Sequence, residues 1–163
     1  MKNRKRGFSL VELLIVLAVI AALIATITPV ALNAIKKSQA TKVAQNMKTL
    51  AAAIENAAYV NGYNATTGKI YKNASKDPLE ISDLGRDIDA TKYSIKYSYT
   101  GTQFNVAVIS GETVDLITAQ DVVKGLAQYS DTVVSSFIGS TLTDTLGTVT
   151  TPTIVYTFTF DLY

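Results

Sequence analysis

Between Arg6 and Lys36 only one side chain can ionise, and it is the carboxylate of Glu12. An ionised carboxylate carried into hydrocarbon costs about 2.5 to 3.5 kcal/mol at the bilayer centre and less near the interface, so such residues tend to be functional. The chemistry a lone carboxylate can do in that setting is charge pairing with a cation brought to it, or simple snorkelling to the interface. The rest of the chain narrows the chemistry further. It has no His and no Cys, which removes imidazole bases, thiol nucleophiles, thiolate metal sites and disulfides. Catalysis would rest on carboxylates, Lys, Ser or Tyr, and no phosphate-binding GxxxxGK loop accompanies them. The sequence therefore predicts a protein that is not an enzyme and carries no cofactor.

Glu12 sits at the front of an apolar run, Phe8 to Ile35, that is unbroken from Leu13 to Ala25. That run is long enough for a membrane-spanning helix, which needs about 20 residues. Lys2, Arg4, Lys5 and Arg6 precede it, placing that end in the cytoplasm and the rest of the chain outside. A cleaved secretory signal would have the same basic and apolar regions but should end in an Ala-x-Ala site, and none lies between Ala18 and Ala34. A plain signal anchor leaves Glu12 and the abrupt Arg6-Gly7-Phe8 boundary without a role. Without residues 1–7 the chain has 11 basic and 13 acidic side chains, a formal charge of about −2. No basic surplus of the kind that binds nucleic acid remains, and direct nucleic-acid binding is not expected.

These residues together, "KRGFSLVELLIVLAVIAALIATITP", resemble the class III leader and first helix of type IV prepilins and of the pseudopilins of type II secretion. The matching features are a short basic leader ending in Gly7, then Phe8, Glu12 four residues on, and Pro29 late in the run. The resemblance covers about residues 1 to 35. It implies that a membrane-embedded prepilin peptidase cuts between Gly7 and Phe8 and that Phe8 is then N-methylated. It implies also that Glu12 pairs with the terminal ammonium of a neighbouring copy's Phe8 during filament assembly. Opposite charges entering an apolar core together cost far less than either alone. Pro29 removes a backbone donor and clashes with the carbonyl four residues back, which predicts a kink or local opening; the resemblance makes that region the part that stretches or melts on packing.

The elements that must carry this segment follow from periodicity. Beyond Ile35, Val43, Met47, Leu50, Ile54 and Ala57 recur at steps of four and three, one face of a helix whose Lys36, Lys42, Lys48 and Glu55 lie mainly elsewhere. One helix is expected from about Phe8 to Val60, about 80 Å long, ended by Asn61-Gly62. Its stripe suits either a short coiled coil or packing on a sheet, and two heptads favour the sheet. Residues 61–90 read as an irregular connector with Gly62, Gly68, Pro78 and Gly85. Its Asp77, Glu80, Asp83, Asp87 and Asp89 lack the spacing of a calcium loop and read as a solvated acidic segment. Asn64-Ala65-Thr66 and Asn73-Ala74-Ser75 match glycosylation sequons.

Tyr93, Ile95, Tyr97 and Tyr99 alternate with Ser94, Lys96 and Ser98, the pattern of a half-buried strand, and "FNVAVI" is its hairpin partner. "TVDLI" is read as a third strand, followed by a short helix capped by Thr118, with Asp121 in capping-box position, and carrying Val122, Val123 and Leu126. "TIVYTFTFDLY" places Ile154, Tyr156, Phe158, Phe160 and Leu162 on one face and belongs inside the sheet. The Thr-rich stretch before it reads as a solvent-facing sheet edge, with surface glycosylation or adhesive contact as the alternative.

The expected fold is α+β, a long N-terminal helix packed on a C-terminal antiparallel sheet. Its parts are a leader at 1–7, a membrane and filament-core segment at 8–35, an amphipathic segment at 36–60 and a head at 61–163. The resemblance implies a type IV pilus subunit for adhesion, motility or DNA uptake, with a type II secretion pseudopilin or minor pilin as the alternative. Its partners would be copies of itself, the prepilin peptidase, the assembly machinery and the inner membrane. Its final location would be an extracellular filament.

Overall fold

The computed structural model describes residues 8–64, 66–139 and 143–162. Helix α1 runs from Leu10 to Asn61 without a break. Leu, Ala and other good helix formers fill it, and it stops where the sequence turns to Asn61-Gly62. Gly62 adopts φ +75°, and its N–H bonds to the carbonyl of Ala58 at 3.2 Å, the left-handed cap that glycine permits. The chain divides between Lys36 and Lys37 into two compact units.

In the second unit α1 buries Ala40, Val43, Ala44, Met47, Leu50, Ala51, Ile54 and Ala58. The expected stripe is present, with Ala58 taking the fully buried place at its end and Ala57 only partly buried beside it. Four of those positions are alanines, which let the helix backbone come close to the sheet.

The sheet has five strands, all antiparallel, in the order β3-β5-β2-β1-β4. Strand β1 (Tyr93–Thr100) and β2 (Gln103–Ser110) form the expected hairpin, turning at Gly101 with φ +69°. β3 is Leu126–Gln128, β4 is Thr143–Leu146 and β5 is Ile154–Asp161. β5 lies between β3 and β2, interior as its alternation implies. β4 is an edge, as the Thr-rich composition implies, and the N–H of its Thr145 is taken by the Asp144 carboxylate at 2.9 Å. Occupying an edge donor in this way discourages pairing with foreign strands.

The main core joins Met47, Leu50 and Ile54 of α1 to Tyr93, Ile95 and Tyr97 of β1 and Phe104, Val106 and Val108 of β2. Phe104 stacks on Phe160 at 5.1 Å between centroids, and Tyr63 meets Phe104 edge-on at 5.3 Å. Such pairs add to area burial.

Three readings of the head need correction. "TVDLI" is not a strand: residues 113–115 are irregular and Leu116 opens helix α3 (Leu116–Val122). Its N-cap is Asp115 rather than Thr118, because the Asp115 carboxylate accepts the Thr118 N–H and hydroxyl. A carboxylate three residues ahead of a free N–H makes the stronger cap, and Leu126 falls in β3 instead of that helix. The connector holds helix α2 (Ile81–Leu84), whose ends are tied by a reciprocal Glu80–Asp83 capping box. Finally, β1 is buried on both faces, not one. Helix α4 (Asp131–Ile138) packs Val134 and Ile138 on Ala107, Ile109 and Val155 of the second face. Ser94, Ser98 and Ser110 are buried as a result, and the Ser98 hydroxyl donates to the Ile138 carbonyl at the end of α4.

Candidate functional site

The first turn of α1 is built by its own side chains. The Glu12 carboxylate accepts the backbone N–H of Ser9 at 2.8 Å, while the Ser9 hydroxyl oxygen accepts the N–H of Val11 at 3.3 Å. The Ser9 carbonyl takes the N–H of Leu13 at 3.1 Å. Ser9-Leu10-Val11-Glu12 is thus a variant of the capping box, with the Ser9 hydroxyl on the Val11 N–H in place of the Glu12 N–H, and with an anion in the first turn where the helix dipole favours it. The Ser-x-x-Glu spacing that signals this turn is present in the sequence. Glu12 therefore has a local role besides any it plays toward another molecule.

Phe8 stands just before the helix with its side chain 85% exposed, and Gly7 lies outside the described residues. Phe8 and Glu12 both lie at the N-terminal end of the described chain, while Pro29 lies well along α1, inside continuous helix. Proline at that position leaves the Ala25 carbonyl without its usual donor. Two hydroxyls work on neighbouring carbonyls: Thr26 donates to Leu23 at 2.9 Å and Thr28 to Ile24 at 2.7 Å. Both bonds go to carbonyls just before Ala25, so the hydroxyl donors flank the gap in the ladder and do not fill it.

Every large apolar side chain from Phe8 to Ile35 is exposed. A continuous apolar surface of that extent is not stable in water. The helix is long and apolar enough to cross a membrane.

The head offers a different kind of surface. A cleft of about 610 Å³ between the connector and β4 is lined by Lys69, Tyr71, Leu79, Ile81, Asp144 and Leu146. Its polar groups are matched to one another. Asp144 accepts the Tyr97 hydroxyl at 3.2 Å and pairs with Lys69 at 3.7 Å, and the Tyr97 oxygen accepts the Ile70 N–H at 3.1 Å. Burial pushes the Tyr97 phenol well above its ordinary range. The cleft thus presents a tied-down network in place of a poised acid and base.

Three of the connector acids, Asp77, Asp83 and Asp89, are likewise engaged locally. Asp83 pairs with Lys72 at 2.7 Å and accepts the Glu80 N–H; the bond from Lys72 holds its carboxyl below the usual range. Asp77 accepts from Asn73 at 2.8 Å, and Asp89 from the hydroxyl of Thr91 at 2.6 Å, which lowers its pKa. Among the described residues no group of three or more His, Cys, Asp or Glu is placed to hold a metal ion. In the first sequon Asn64 turns its carbonyl onto the N–H groups of Thr66 and Thr67.

A long apolar-fronted helix on a five-stranded antiparallel sheet, opened by a Ser-x-x-Glu turn, is a pilin-like arrangement. Residues 2–28 match the family described as the prokaryotic N-terminal methylation motif. The chain carries the class III prepilin leader of the type IV pilins and pseudopilins. The matched segment contains Gly7, Phe8 and Glu12 and stops one residue before Pro29. No similar curated protein and no similar solved structure was found.

Proposed function

We propose that this chain is a structural subunit of a type IV pilus, made as an inner-membrane precursor and polymerised through α1 into an extracellular filament. The observation that carries the reading is the leader motif at residues 2–28 feeding directly into a helix whose large apolar side chains are all exposed as far as Ile35. On this reading residues 1–7 are removed between Gly7 and Phe8 by the prepilin peptidase, and Phe8 is N-methylated. Residues 8–35 then serve as membrane span and filament core, 36–60 as the amphipathic support of the head, and 61–163 as the head itself. Cleavage makes Phe8 a cation, and Glu12 of a neighbouring copy neutralises it, so that the pair enters the apolar core at a cost neither charge would face alone. The helix opens near Pro29 as copies pack, with the Thr26 and Thr28 hydroxyls serving the released carbonyls. A pseudopilin or minor pilin would use the same front end and differ in copy number.

The capping box dictates the test. Glu12→Gln keeps an acceptor for the Ser9 N–H but removes the charge, whereas Ser9→Ala removes half of the cap and keeps the charge. The expected result is loss of surface filaments with Glu12→Gln and retention with Ser9→Ala. Intact mass and N-terminal sequencing of protein sheared from cells should find chains beginning at methylated Phe8. Processed chains found only in membranes would instead favour the pseudopilin or minor pilin, and chains beginning at Met1 or Lys2 would overturn the leader reading.

A further inference from the structure

Charge is unevenly divided along this chain. Residues 36–60 carry Lys36, Lys37, Lys42 and Lys48 against Glu55 alone, while residues 61–163 carry seven cations against eleven acids. All four lysines are exposed. Lys48 is occupied: its ammonium donates to the Tyr156 hydroxyl at 2.9 Å and lies over that ring. Lys37 and Lys42 have no acidic partner among the described residues. Identical helices gathered side by side would bring these ammoniums together, and like charges that close repel unless an anion is supplied.

The head holds a fitting anion on α3. Asp121 is exposed and makes no hydrogen bond or ion pair among the described residues, and Lys124 three residues on does not pair with it. One helical turn earlier, and therefore on the same face, Ile117 is 71% exposed. An unpaired carboxylate on an exposed helix face suits a cationic partner, and α1 from Lys37 to Lys42 exposes the two lysines with Ser38 and Gln39 between them.

We propose that α3 docks, through Ile117 and Asp121, on the Lys37–Lys42 stretch of α1 in a second copy of this chain. The contact is heterologous, since the two patches differ, so it propagates into an open polymer and does not close a dimer. It rests on the filament reading above and names the head contact within it.

The absence of cysteine gives a clean test. Lys37→Cys and Asp121→Cys chains are expressed together in one cell, with each alone as a control, and sheared filaments are run without reductant. The expected result is a disulfide-linked dimer in the mixture and in neither control. A monomer band from filaments whose yield equals the unmodified chain's overturns the proposal. Loss of all filaments from the unmodified chain as well would fail the filament reading and not this contact. As a second measurement, Asp121→Lys should reduce filament yield several-fold and Lys37→Glu with Lys42→Glu should restore it. If Asp121→Lys has no effect while Lys37→Gln with Lys42→Gln releases the precursor from vesicles rich in anionic lipid, the lysines serve headgroups and the proposal is wrong.

Discussion

Truncating Leu50 to alanine gives the sharpest test of how the head is held to α1. Leu50 is fully buried in the cluster that joins α1 to β1, β2 and β5. Removing its three outer carbons forfeits about 2.4 kcal/mol of transfer free energy at about 0.8 per carbon. The sheet behind it is pinned by the Phe104–Phe160 stack and cannot collapse freely, so a cavity term brings the loss to about 3 to 4 kcal/mol. For a unit of this size that lowers Tm by about 10 °C. Leu17→Ala is the matched control: the same chemistry in the same helix, with nearly equal helix propensity, but at a side chain 57% exposed in the first unit. With the full chain in detergent, near-ultraviolet dichroism of the nine tyrosines follows the second unit, which holds them all. Leu50→Ala should melt about 10 °C lower and Leu17→Ala within about one degree of the parent. Equal shifts in the two variants would refute the assignment of the stripe to the core.

Other expectations follow from particular contacts. The Tyr129 hydroxyl donates to Asp131 at 2.5 Å, and that bond pushes its pKa up to about 12. Because the folded value is raised, the neutral phenol's contribution to stability is intact below about pH 10 and fades as pH rises towards 12. Asp131→Asn should bring the Tyr129 transition in an alkaline absorbance titration back toward the ordinary phenol range. Gly147 has φ +68°, and a Cβ there would lie 2.5 Å from Ile81 Cδ1 and 3.0 Å from the Tyr93 carbonyl. Gly147→Ala should therefore cost more than about 2 kcal/mol in denaturant melts, against about 1 to 2 for Gly101→Ala, where only the positive φ matters. Ser98→Ala leaves the Ile138 carbonyl without its donor and should destabilise by about 1 to 3 kcal/mol, with hydrogen exchange rising first in α4.

What could be read from the chain in advance was whatever its neighbours in sequence decide. The span of α1, its stop at Asn61-Gly62, the β1–β2 hairpin and the interior place of β5 are all written in periods of a few residues. The same is true of the Ser9–Glu12 turn, a signal of three residues' spacing. The elements that were missed depend on contacts far apart in the chain. Helix α4 is eight residues of Asp, Thr, Val, Ser, Phe and Ile, weak helix formers whose only strong reason to coil is the apolar second face of the sheet. That face is itself hard to recognise, because β1 presents Ser94, Lys96 and Ser98 there, and serine reads as solvent until Ile138 offers its carbonyl. Strand β3 has three residues and exists because β5 supplies an edge.

The same division explains where specialised function must lie. The front end is fixed by local chemistry: an anion in the first turn of α1, a proline with hydroxyls at hand, an apolar surface. The head's character comes from choices such as the occupied edge donor on β4, the matched network of Tyr97, Asp144 and Lys69, and the unpaired Asp121 on α3. Two of these close surfaces against casual partners and one leaves a charge exposed. On the contact proposed above, Asp121 recurs on every copy together with the Lys37 and Lys42 that answer it, so one pair of patches repeats along the whole polymer.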